Sequence, residues 1–190
     1  MKRKIFAVAF AAASMLAFAF AAQAGQPEKD GIVFHDATEF LIGGKATQET
    51  LTPYDRLPAS YEKKTRPDLW RHGLHSAGIY VRFRTDSPII KARWTSLFER
   101  EMNHMAPSGI RGLDLYVLDE GKWYFTGVGR PTKGQKTTES VLVQNMDRKE
   151  REYMLYLSLY DGVTSLEIGV DNSSVISKPQ VDSPRRGCPI

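Results

Sequence analysis

The sequence predicts an all-β fold, a jelly-roll-like antiparallel β-sandwich preceded by a cleaved helical signal peptide. Three observations lead there. Runs alternating apolar and polar residues recur from Ile32 to Val170, clusters of Gly, Pro, Asp and Asn separate them, and no segment beyond residue 24 keeps a helical apolar period. About eight to ten such runs are what a sandwich built from short strands and turns contains.

The chain opens with basic Met1-Lys2-Arg3-Lys4, an apolar stretch from Ile5 to Ala21, and Ala22-Gln23-Ala24, a small-x-small cleavage site. This order is that of a Sec-type signal peptide over residues 1–24, which sends the mature chain to the periplasm or outside the cell. The apolar stretch is short for a span and no cysteine stands at the cleavage point, so no membrane or lipid anchor is expected after cleavage. Cleavage leaves 166 residues, room for one domain with a substantial core. It also removes Lys2, Arg3 and Lys4 and no acid, taking the formal charge from +4 to +1. That balance offers no basic face for nucleic acid. Cys188 is the single cysteine, so no internal disulfide can form and the apolar core must hold the domain. Cys188 itself reads as a reactive thiol or as a small residue packed elsewhere.

In the mature chain, Ile32-Val33-Phe34-His35 and Glu39-Phe40-Leu41-Ile42 read as two short strands around a turn. Tyr54 to Ala77 loses periodicity around Pro58 and Pro67 and reads as a long loop with one helical turn at most. Ile79, Val81 and Phe83 then alternate with Tyr80, Arg82 and Arg84; past the Asp86-Ser87-Pro88 turn, Ile90, Ala92 and Trp94 alternate with Lys91 and Arg93. Leu97 to Arg111 is a second irregular connection. Leu113, Leu115 and Val117 alternate with Asp114 and Tyr116 before Asp119-Glu120-Gly121 and the aromatic return Trp123-Tyr124-Phe125, the pattern of a hairpin. Ser140 to Val143 is a further strand. Tyr153 to Tyr160 is apolar on both faces and is expected centrally, and Asp161-Gly162 is expected to turn it into a hairpin with Ser165 to Val170.

Several of these stretches match one known family together and in order. They are Tyr54-Asp55-Arg56-Leu57-Pro58, Trp70 with Ser76-Ala77-Gly78, Val81-Arg82-Phe83 with Arg93-Trp94, Gly112-Leu113-Asp114-Leu115-Tyr116 with Gly121-Lys122-Trp123, Gly127-Val128-Gly129-Arg130-Pro131, and Glu150 to Tyr153 continuing through Leu159-Tyr160-Asp161-Gly162-Val163 to Val170. The chain thereby resembles the N-terminal domain, named for its Gly-x-Asp-Leu-Tyr motif, that precedes the catalytic domain of SGNH/GDSL hydrolase-type esterases. The resemblance implies a β-sandwich over residues 25–172 and a linker over 173–190 leading to an α/β catalytic domain, in an exported enzyme acting on acylated carbohydrate.

The catalytic set of such an enzyme needs a serine on a strand-end turn, oxyanion donors and an Asp-x-x-His base in one place. No Gly-Asp-Ser turn and no Asp-x-x-His occurs here; Asp68-Leu69-Trp70-Arg71-His72 is one residue too long. The chain is therefore expected to be the accessory domain, stopping before the catalytic strand near Cys188-Pro189-Ile190, with no catalytic residue, metal or cofactor of its own. A stand-alone secreted carbohydrate-binding sandwich is the alternative.

Seven residues are candidates for binding sugar or meeting the catalytic domain. Trp70, His72 and His75 form a polar-aromatic loop patch, alternatively a hydrogen-bonded loop with no ligand; a metal pair of histidines lacks supporting carboxylates. Arg93, Asp114 and Tyr116 lie on polar strand faces, where arginine and aromatic groups suit sugars through bidentate hydrogen bonds and stacking, or where Asp and Arg pair internally to fix register. Trp123 is open between platform and core, whereas Trp94, flanked at two-residue spacing by apolar residues, is expected in the core.

Overall fold

A computed structural model describes residues 31–179. The expected signal peptide, Cys188 and the end of the expected linker lie outside the described residues. Ten strands are defined: β1 (Ile32–Asp36), β2 (Leu41–Gly43), β3 (Tyr80–Thr85), β4 (Ile90–Ser96), β5 (Leu113–Asp119), β6 (Lys122–Gly129), β7 (Thr137–Val143), β8 (Arg151–Tyr156), β9 (Val163–Asp171) and β10 (Ile176–Ser177). One sheet has the order β1-β9-β4-β7; the other runs β10-β3-β8-β5-β6, with β2 also on β3. Every pairing between these strands is antiparallel.

The two sheets bury one shared core, and the two-residue alternation shows why. Val81 and Phe83 of β3, Leu113 and Leu115 of β5 and Tyr153 and Leu155 of β8 point inward from the larger sheet, meeting Ile90, Ala92 and Trp94 of β4 and Leu166, Ile168 and Val170 of β9. Trp94 is fully buried, as its apolar neighbours predicted, and its indole Nε1 donates to the Arg111 carbonyl at 3.0 Å. A buried indole N–H needs such a partner.

The β5–β6 hairpin forms as expected. Its tip places Glu120 (φ 45°) and Gly121 (φ 77°) both in the left-handed region, the geometry that a two-residue loop between right-twisted strands demands. β8 lies between β3 and β5, the central position that its apolar faces implied.

The second expected hairpin does not form. β8 and β9 belong to different sheets, so Asp161-Gly162 is a corner that carries the chain across the core. Asp161 is fully buried there, and its carboxylate accepts from the backbone N–H groups of Phe98 (2.8 Å), Arg100 (3.0 Å) and Gly162 (2.8 Å). Asp-Gly at a hairpin tip would be solvated; this pair is instead the anchor of the Leu97–Arg100 connection. The two opening strands likewise divide, β1 pairing with β9 and β2 with β3.

Two short helices occupy stretches read as irregular, α1 (Pro67–Gly73) and α2 (Pro107–Arg111). Each opens on proline, which fits the first helical position because its missing N–H has no acceptor there anyway. Seven and five residues are too few to establish a helical apolar period. β10 lies within the stretch expected to be linker, so the sheet extends past Val170 by pairing Ile176 with Thr85 and Ser177 with Arg84.

Candidate functional site

The Gly-x-Asp-Leu-Tyr stretch explains itself residue by residue, with one exception. A Cβ on Gly112 would stand 2.2 Å from the Ser108 carbonyl oxygen and 2.9 Å from that of Gly129, so only glycine lets β5 start directly under α2. Leu115 is a fully buried core residue. Tyr116 packs edge-to-face on Phe125 (5.7 Å between ring centres) and on Tyr156 (5.7 Å). Asp114 is the exception. Its carboxyl points out of the sheet, half-buried, with no hydrogen bond or ion pair among the described residues, and burial raises its pKa above the ordinary Asp value.

Asp114 sits in a face that the register assembles. Antiparallel pairing sets Tyr80 opposite Tyr156, Tyr156 opposite Asp114, and Tyr116 opposite both Met154 and Phe125. The rings of Tyr80, Tyr156, Tyr116 and Phe125 then make a continuous edge-to-face row, with successive centres 5.6 to 5.7 Å apart. Tyr80 lies over Gly43, where any Cβ would come within 2.4 Å of its ring. At the far side the Arg82 guanidinium lies 5.7 Å from the Trp123 ring centre and is held by Glu152, with Nε to Oε1 at 2.6 Å. Arg84 pairs with Glu150 at 2.6 Å. The basic groups of this face are thus matched to Glu150 and Glu152, and Asp114 is left over.

Arg93 lies on the other sheet. Its guanidinium pairs with Glu139 (2.9 Å) and Glu167 (3.4 Å) and covers the Phe34 ring at 3.9 Å. The internal pairing considered for Asp114 and an arginine is therefore made by Arg93 with glutamates, and Asp114 takes no part in it.

Of Trp70, His72 and His75, the two histidines are brought together, and Trp70 is not among the residues that line the cavity beside them. Trp70 and His72 are on α1; His72 is exposed, its Nδ1 lying 2.6 Å from the Asp68 carbonyl, and Trp70 is half-buried. The His75 ring is buried between His72 (5.3 Å) and Phe98 (5.7 Å), and its Nε2 has no hydrogen-bond partner among the described residues. Burial, reinforced by the charges of Arg100, His72 and Arg56, lowers its pKa to about 4, so it is neutral at neutral pH. Arg56 fixes the segment by donating to the carbonyls of His72 (2.6 Å) and His75 (2.8 Å). An open cavity of about 460 Å³ lies over this end, lined in part by Arg56, both histidines, Arg100 and Tyr160.

Neither place has the groups of a hydrolytic centre. Ser76, beside His75, is fully buried, donating its hydroxyl to the Tyr54 carbonyl and accepting from the Val163 N–H at 2.9 Å each, so its Oγ is not free to attack an ester. Among the described residues no three His, Cys, Asp or Glu side chains are grouped to hold a metal ion. What the larger sheet presents on its outer face is aromatic C–H and π surface, a paired guanidinium, and a carboxylate with free acceptor capacity. The sequence pointed to Asp114, Tyr116 and Trp123; it did not single out Tyr80, Phe125 and Tyr156. The polar-aromatic alternation of β3 was the available signal for Tyr80, but Tyr156 was hidden in a run that reads apolar throughout.

Comparison with known proteins places the chain in a family. A family profile described as GxDLY, the N-terminus of Esterase_SGNH_hydro-type, matches residues 32–176. A crystal structure described as a GDSL-like lipase from Bacteroides ovatus ATCC 8483 is 40% identical with a TM-score of 0.74, over 78% of this chain and 43% of that one. The salicylyl-acyltransferase SsfX3 of a tetracycline biosynthetic pathway shares the fold alone, at 16% identity and a TM-score of 0.59, over 83% of this chain and 44% of that one. The chain thus spans less than half the length of either structure. No curated protein matches it. With more than half of its residues inside that profile, the chain belongs to the family of N-terminal GxDLY domains of SGNH hydrolase-type esterases.

Proposed function

We propose that the chain is the non-catalytic accessory domain of an exported SGNH/GDSL-type esterase acting on acylated carbohydrate, and that the aromatic face around Asp114 holds the sugar. The observation that carries this is Asp114 itself, a half-buried carboxylate without an internal partner in a row of rings. Leaving such a group unmatched costs stability, which a ligand hydroxyl donating to it repays. Sugars supply both halves of the match, hydroxyl donors for the carboxylate and C–H faces for Tyr116, Trp123 and Phe125. The chemistry belongs to an SGNH domain that follows this one, the partner of the chain; export rests on the Sec-type pattern of residues 1–24, and the sandwich is of jelly-roll type.

A second reading, a stand-alone secreted carbohydrate-binding module, uses the same face, because Tyr80 through Trp123 need nothing from a further domain to form it. Both readings are tested on the purified chain. It is expected to hydrolyse no generic acyl ester and to be retarded in gels containing acetylated polysaccharide, with Asp114→Ala weakening that affinity about tenfold, the loss of one charge-assisted hydrogen bond. Ester turnover abolished by replacing one serine or histidine would overturn both readings. Unchanged retardation of Asp114→Ala and Trp123→Ala would remove the sugar face.

A further inference from the structure

Arg111 ends α2 and is 2% exposed. A guanidinium cannot shed its proton in a protein, so its burial calls for an anion or a full set of acceptors. Arg111 has neither within the described residues. No carboxylate pairs with it, Nε is sealed from solvent with no partner, and Nη1 makes one long hydrogen bond, 3.4 Å, to the Gln135 carbonyl. Its backbone is firmly held meanwhile, the carbonyl accepting from Trp94 Nε1 at 3.0 Å and Ser158 Oγ at 3.2 Å. Arg111 is thus rigidly placed and electrostatically incomplete.

It lines a cavity of about 220 Å³ whose other walls include Met102, Met105, Ile110 and two prolines. Lys133 and Glu101 complete the lining. With Arg111 these sum to a single positive charge, which matches a monoanion. The volume suits a small molecule, the methionines give adaptable apolar walls, and a guanidinium presents paired N–H groups to the two oxygens of a carboxylate. A phosphate would bring more charge than the lining balances, and a sugar would set its hydroxyls against methionine, isoleucine and proline.

We propose that this cavity is a binding site for a small organic monocarboxylate with an alkyl or aryl body, its carboxylate on Arg111 and its body among Met102, Met105 and Ile110. The site is separate from the aromatic face and does not depend on the sugar reading.

The test is an NMR titration of the whole chain at constant ionic strength with hexanoate, hexanamide and chloride. Hexanoate is expected to move the Arg111 Nε–H signal saturably in the millimolar range, while hexanamide and chloride leave it in place. Arg111→Met, if its amide spectrum shows it folded, is expected to lose the saturable response of the Met105 and Ile110 amides. Lys133→Glu, on the exposed rim, leaves the core untouched and is expected to weaken hexanoate at least threefold. No saturable shift with hexanoate, an equal response to hexanamide or chloride, or unchanged hexanoate affinity in Lys133→Glu would each overturn the proposal.

Discussion

At the scale of single residues, Asp114 separates binding from stability. Its pKa is raised by burial, so the ionised form is disfavoured in the folded chain relative to the unfolded one. The sign follows: whatever stability Asp114 lends is present at low pH and is lost as pH rises through its folded pKa, above the ordinary Asp range. Asp114→Asn removes that loss. At pH 7 the variant is expected to unfold at an equal or higher urea concentration than the wild type, with the two midpoints drawing together as pH falls toward 3. A clear destabilisation by Asp114→Asn at pH 7 would mean that the carboxylate has an internal partner and is structural.

At the scale of elements, the Asp161 corner tells most. Phe98, Arg100 and Gly162 N–H groups all depend on one buried carboxylate, and the step from β8 to β9 depends on them. Asp161→Ala leaves those donors without their acceptor and is expected to cost about 2–4 kcal/mol, since bonds to a charged group are individually worth about 1.5–3 kcal/mol. Denaturant unfolding measures it; a change below about 0.5 kcal/mol, ordinary for a surface site, would contradict the corner's role. The same corner marks where sequence reading stops. Alternation in β3, β4 and β5 and the Glu120-Gly121 tip were legible because their cause is local: side-chain period and backbone φ. Asp161-Gly162 has the composition of a hairpin tip, and only the assignment of β8 and β9 to opposite sheets, a long-range fact, makes it a buried anchor. Short α1 and α2 escaped for the opposite reason, having too few residues to show a period.

At the scale of the whole molecule, two sheets of one sandwich have different outer surfaces. On the β1-β9-β4-β7 sheet, Lys91 and Arg93 are neutralised by Glu139 and Glu167. The β10-β3-β8-β5-β6 sheet carries the aromatic row and the unmatched Asp114. The sequence showed the ingredients of both, Arg93 beside Asp114 and Tyr116, but sorting them needed the sheet order, which places β4 and β5 in different sheets. Arg111 was invisible for a related reason, since nothing in its neighbours along the chain foretells burial without an acid. On the proposed reading an accessory domain has no need of a nucleophile but needs one face that recognises something outside itself, and the aromatic sheet is the face proposed for it. Amide chemical-shift mapping of the purified chain with an acetylated oligosaccharide tests this most directly. The account predicts saturable shifts confined to Tyr80, Asp114, Tyr116, Trp123, Phe125 and Tyr156 and their strand neighbours, with Arg93, Glu139 and Glu167 unmoved; shifts on the Arg93 sheet, or none at saturating sugar, would contradict it.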